Sequence, residues 1–179
     1  GVTFSYKWMN ADEFGWIRQS ELTNNTTEST NIYVVDGLQN LLPSGVDRHT
    51  QNMFSTLVDG YKKTELVENT SFALYLMEAI LVDRAEPSES LRANTVWSVG
   101  LENACYLLSS KQLTNIRNGE KAKAEVEAKG VRGAYFACAD IKLAPQSTKQ
   151  WYFVAEVAQD IASVNDQLYF IENTNDIPA

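Results

Sequence analysis

One histidine, two cysteines and four prolines in 179 residues leave few ways to build the commoner catalytic centres. A catalytic zinc ion is ordinarily held by three ligands drawn from His, Cys and carboxylate side chains in a fixed array. His49 with the widely separated Cys105 and Cys138 makes a poor set, so neither a metal nor another cofactor is expected. The chain also lacks a phosphate-binding loop, a dinucleotide fingerprint, a nucleophile elbow and a zinc motif. Positive charge is scarce: 15 basic residues stand against 23 acidic ones, a net charge of −8. Nucleic acid and anionic lipid reward a basic stripe through counterion release, so neither is expected as a partner. No apolar run is long enough to span a bilayer, which excludes a helical membrane anchor within the sequence.

What is present is a globular composition, with 44% apolar and 11% aromatic residues. A chain of this length buries a substantial core without crosslinks, and one domain over residues 1–179 is the economical division. Cys105 and Cys138 sit in apolar, strand-like settings and read as buried, inert thiols. The first residue is Gly1 rather than Met and a strand pattern follows at once, which suggests a segment excised from a larger polypeptide. Bacterial cytoplasm or periplasm is the expected compartment. Glycosylation triplets at Asn24, Asn25 and Asn69 carry little weight, because such triplets arise by chance.

Most of the chain alternates with period two. In "VTFSYKWM", Val2, Phe4, Tyr6 and Trp8 share one face of a strand, and "FGWIRQSEL" resumes the pattern after the turn residues "NADE", predicting a hairpin. "IYVVDGLQ", "SFALYLMEAILV", "ANTVWSVGL", "ACYLLSS", "VRGAYFACADIKL" and "QWYFVAEVA" follow as further strands, the second of them apolar on both faces like a covered central strand. "APQST" reads as a hairpin turn between the last two. Helical spacing occurs from Asp47 to Lys62, where Met53, Leu57, Val58 and Tyr61 form an apolar stripe, and after Asp160, where Ile161, Val164, Leu168 and Ile171 do. "KQLTNIRNG" adds a turn or two. The expected fold is mainly β, an antiparallel β-sandwich with two or three short helices.

Candidate chemistry is sparse. His49 could serve as a general base held by Asp47 or Asp36, but no nucleophile or second acid is tied to it by spacing, and a solvated residue in a first helical turn is the favoured reading. Glu65 with Glu68, or Glu86 with Glu89, could flank a glycosidic bond, although adjacent acids in polar loops are usually only solvated. The tryptophans Trp8, Trp16, Trp97 and Trp151 are more informative, because the flat C–H faces of sugars suit aromatic platforms. Phe4, Tyr6 and Trp8 at period two are expected on the core face of their strand. Trp16, beside Gly15 and Arg18, is the better candidate for a site.

"FSYKWMNADEFGWIRQSELTN", "IYVVDGLQNLLPSGVD" and "GAYFACADIKLAPQSTKQWYFVAEVAQD" together resemble the β-supersandwich module that accompanies an (α/α)6 barrel in cellobiose-phosphorylase-like and related glycoside hydrolase proteins. The resemblance spans most of the chain and implies a galactose-mutarotase-like sandwich. It places the general acid in the barrel, so that no catalytic residue is expected here. It further implies a barrel of the same polypeptide as partner, oligosaccharide as a possible ligand, and an apolar rim that favours a homodimer. The candidate saccharide or interdomain contacts are Trp16, Arg18, Asp36, Gln39, Asn40, Asp47, Arg48, His49 and Tyr61. The alternative is an autonomous sugar-acting enzyme such as an aldose epimerase, with His49 and a glutamate exchanging protons. Epimerases of that type use more than one histidine, which favours the non-catalytic module.

Overall fold

The eight expected strand runs, joined by two unexpected strands at Lys62–Leu66 and Glu127–Lys129, give ten strands, all paired antiparallel, in a computed structural model that describes residues 1–78 and 92–174. In chain order they are β1 (Val2–Ala11), β2 (Gly15–Asn24), β3 (Thr30–Leu41), α1 (Arg48–Met53), α2 (Ser55–Gly60), β4 (Lys62–Leu66), β5 (Ala73–Met77), β6 (Ala93–Val99), β7 (Cys105–Leu107), α3 (Leu113–Arg117), β8 (Glu127–Lys129), β9 (Gly133–Leu143), β10 (Thr148–Gln159) and α4 (Ile161–Asn173). Seven strands form one sheet in the order β1-β2-β10-β6-β5-β4-β8, and three form another in the order β3-β9-β7. The protein is therefore a mainly β, sandwich-like fold with four helices among the described residues.

Between the sheets lie Leu22 of β2, Trp151 and Phe153 of β10, Val96 of β6 and Tyr75 of β5, packed on Tyr135, Ala137 and Ile141 of β9. β9 is covered on both faces: Phe136 and Cys138 point away from this core, toward Leu113 and Ile116 of α3. That explains why "GAYFACA" is apolar throughout while "DIKL" alternates. The far face of the large sheet, with Ile17, Trp97, Tyr152 and Val154, is covered by α4 through Val164, Leu168, Phe170 and Ile171. Asp160 caps α4 by accepting a hydrogen bond from the Ser163 amide at 2.9 Å. Phe170, outside the expected stripe, packs 5.1 Å from the Phe14 ring, while Ile161 is left exposed.

Three local expectations are corrected. "APQST" is not a hairpin turn, because β9 and β10 belong to different sheets. The chain crosses the sandwich there, and the buried Asn24 fastens the crossing by donating from Nδ2 to the carbonyls of Glu28 (2.8 Å) and Ala144 (3.0 Å). An Asn24 amide so engaged has no room for a glycan. The helix expected from Asp47 to Lys62 is two short helices broken at Phe54 (φ −126°, ψ 32°), and of its apolar stripe only Val58 is buried. The third correction concerns the aromatic stripe of β1. Phe4, Tyr6 and Trp8 face the same way as the core residues of β2, yet they are 46%, 58% and 49% exposed. The small sheet stops short of them, and β1 contributes no residue to the core between the sheets. The strand "SFALYLMEAILV" appears as β5 over Ala73–Met77, an interior strand as expected, and its end lies outside the described residues.

Candidate functional site

The overhang of the large sheet past the small one creates a groove. The β1–β2 register sets Tyr6 opposite Ser20, Trp8 opposite Arg18 and Asn10 opposite Trp16, which brings Tyr6, Trp8, Trp16 and Arg18 to one face. β3 supplies the other wall with Gly37, Leu38, Gln39 and Leu41, and Ala155 of β10 lies between. The groove encloses about 700 Å³, within the range of roughly 300–1,000 Å³ usual for ligand pockets. Trp16 is 54% exposed. Among the described residues the groove is lined by aromatic and aliphatic side chains and Gln39, with a cation at its base and no carboxylate.

That cation is held rigidly. Arg18 is buried, its guanidinium carbon 4.5 Å from the centroid of the Tyr6 ring, and its Nη1 donates to Asp36 Oδ1 at 2.8 Å. Asp36 accepts three further hydrogen bonds: from Ser20 Oγ at 2.7 Å, Trp151 Nε1 at 2.8 Å and its neighbour's amide, Gly37, at 2.9 Å. Both charges are thus paired and hydrogen-bonded, as burial requires. Asp36 ties β3 to β2 and β10 across the core and is a buried anchor beneath the groove wall. Gln39 Nε2 donates to Ser110 Oγ at 3.2 Å, and the exposed Asn40 occupies the bulge where the β3–β9 register shifts, with φ of 57°.

The remaining candidates do not line the groove. Leu42 and Pro43 lead into a turn closed by a hydrogen bond from the Val46 amide to the Pro43 carbonyl, and Asp47 caps α1 by accepting from the Thr50 amide at 2.7 Å. That bond holds the Asp47 carboxyl below its usual range. Arg48 and His49 are exposed in the first turn of α1, and Tyr61 is exposed after α2. Asp36 and Asp47 each have their own structural task, so the stretch from Tyr33 to Gln51 is a strand, a corner and a capped helix.

No catalytic array gathers elsewhere among the described residues. Glu65 pairs with Lys63, and Glu86 and Glu89 lie outside the described residues. Among the described residues no group of three or more His, Cys, Asp or Glu side chains is placed to hold a metal. Cys105 and Cys138 are free and directly opposite each other on β7 and β9, and burial with Cys105 alongside pushes the Cys138 thiol up to about 12. No family model and no curated protein matches the chain.

One carboxyl stands apart. Glu156 is pushed above its usual range by burial, and its Oε1 has no hydrogen-bond partner among the described residues. It follows Ala155 of the groove and so points to the opposite face of β10. A carboxyl whose folded pKa exceeds its unfolded value near 4.3 keeps its proton longer in the native state, so stability is lost as pH rises between the two values. Glu156→Gln should therefore melt higher than the parent at neutral pH, and the gain should vanish as pH falls below about 4. Thermal melts across that range check the sign.

Of the groove residues, Tyr6, Trp8, Gly37, Leu38, Leu41 and Ala155 are not among the candidates read from the sequence, and Tyr6 and Trp8 are the two that carry aromatic surface. Their period-two spacing is the same on an overhanging strand as on a covered one. The signal that separates the cases is the unequal width of the two sheets, which no local pattern carries.

Proposed function

We propose that the domain is a non-catalytic β-sandwich module of a carbohydrate-active protein, whose groove shapes part of a saccharide site beside a catalytic barrel. The observation that carries this reading is the exposed row Tyr6, Trp8 and Trp16 over the anchored guanidinium of Arg18. Flat aromatic faces suit sugar C–H surfaces, and Gln39 and the Arg18 guanidinium offer donors for hydroxyls. The resemblance of the three quoted segments to the supersandwich module of barrel-bearing glycoside hydrolases and phosphorylases supports the substrate class. Glycoside chemistry needs two carboxylates, and among the described residues none lines the groove, which supports the non-catalytic role. His49 is exposed on α1, and its neighbour Asp47 is engaged in capping that helix through the Thr50 amide.

An open groove with few oriented donors binds weakly, because few hydrogen bonds offset the freedom lost on association. Titration with cello-oligosaccharides should change the tryptophan fluorescence with a dissociation constant of about 1 mM or weaker. Trp16→Ala should remove most of that change, and hydrolysis, phosphorolysis and mutarotation should stay at background. Turnover that disappears in His49→Ala would overturn the non-catalytic reading. Micromolar binding lost in Trp16→Ala would show a self-sufficient carbohydrate-binding module rather than a shared site.

A further inference from the structure

Four strands end the two sheets, and three of them are guarded. β8 (Glu127–Lys129) and β7 (Cys105–Leu107) are three residues long, and β8 carries charge at both ends. β3 shifts register only at its end, near Asn40, but carries the inward-pointing charge of Asp36, itself one of the devices that blunt an edge. β1 is different: it runs in unbroken register from Val2 to Ala11 against β2, contains no proline, and bears a single charged side chain, Lys7. Among the described residues no strand pairs with its outer edge. A long, regular, aromatic edge of this kind is a template for another strand, and proteins that stay monomeric blunt such edges with charge, proline or bulges.

We propose that β1 pairs antiparallel with β1 of a second copy of this chain, joining the two large sheets into one across a two-fold axis. The sequence of β1 is suited to its own copy. A two-fold axis normal to the sheet keeps each residue on its original face, so residues brought opposite must share parity in the numbering. Centring the axis on Tyr6 meets that condition: Tyr6 faces Tyr6 of the second copy, Phe4 faces Trp8, and Val2 faces Asn10. On the other face Ser5 meets Lys7 and Thr3 meets Met9. This register uses the strand from Val2 to Asn10, pairs aromatics with aromatics and sets no like charges opposite each other. Centring on Lys7 would oppose the two lysines, and centring on Ser5 would shorten the seam. The aromatic rows of the two grooves then meet on one face. This inference concerns the edge of β1 and stands whether or not the groove takes a saccharide.

The test is sedimentation of the chain and of two variants at loadings up to about 100 μM. The parent should be a dimer that dissociates on dilution. Ser5→Lys should weaken it by about tenfold, since the new side chain meets Lys7 of the other copy twice per seam. Within its own chain that lysine lies opposite Glu21, so folding is spared, and a circular dichroism melt checks this. Adding Lys7→Glu to Ser5→Lys should restore the dimer, because each introduced lysine then meets an introduced glutamate. A parent that is monomeric throughout, a dimer indifferent to Ser5→Lys, or a double variant as weak as the single one would each overturn the proposal.

Discussion

Asp36→Ala is expected to destabilise the domain by about 3–5 kcal/mol, the usual cost of removing one partner from a buried ion pair. The loss is large because a single carboxylate serves three side-chain donors on two other strands: Arg18 and Ser20 of β2 and Trp151 of β10. Its removal leaves a hydroxyl and an indole N–H in the interior without the acceptor they share, and the guanidinium with only its long, 3.4 Å bond to the Gly37 carbonyl. The reverse deletion should be milder. Arg18→Met leaves Asp36 with the bonds from Ser20, Trp151 and the Gly37 amide, and it keeps an unbranched side chain against the Tyr6 and Phe153 rings. Denaturant midpoints of the two variants should therefore differ, with Asp36→Ala the lower. Equal losses would show that the attraction between the two charges, rather than the orphaned donors, sets the energy.

Gly37→Ala should be of similar severity for a different reason. A Cβ at position 37 would lie 1.9 Å from the Tyr135 carbonyl oxygen and 2.7 Å from the Phe136 Cα, both backbone atoms of β9. No rotamer change relieves that contact, so β3 and β9 must separate, and overpacking against backbone is expected to cost about 3 kcal/mol or more. The groove would widen with the strands, because Gly37 lines it. Gly45→Ala is the control. There φ is +83° but no atom lies within 4 Å of the added carbon, so only the left-handed backbone is penalised, by roughly 1–2 kcal/mol. Thermal or denaturant unfolding of the pair separates steric closeness from backbone strain.

Much of this fold is legible in the sequence, and the reasons are local. The strand runs follow from strict alternation, as in "FSYKWM", or from apolar runs bounded by polar turns, as in "GAYFACA". Asp47 and Asp160 mark their helices through the cap bonds that short acidic side chains make. What stays hidden is which strands lie opposite which. The "APQST" connection looks like a hairpin because both flanks are strands, and only the sheet order reveals a crossing. The stripe Phe4, Tyr6, Trp8 looks like core because burial is decided by the reach of the small sheet. Met53 and Leu57 keep helical spacing but the helix breaks at Phe54 and leaves them exposed. At the site, Trp16, Arg18 and Gln39 do meet in one groove, brought there by the β1–β2 register and the course of β3. Asp36 lies next to them in space, yet nothing in its spacing announces the bonds from Ser20 and Trp151.

The four tryptophans report on the groove most directly, because two of them border it and two do not. Trp8 and Trp16 line the groove, whereas Trp151 is fully buried and Trp97 packs beneath α4. Two-dimensional nitrogen–proton spectra of the chain should show four indole signals, assigned by single substitution. Titration with cello-oligosaccharides should move those of Trp8 and Trp16 in proportion to occupancy and leave that of Trp151 in place. A shift confined to Trp97, or four unmoved indoles at about 50 mM ligand, would contradict a saccharide-contacting groove.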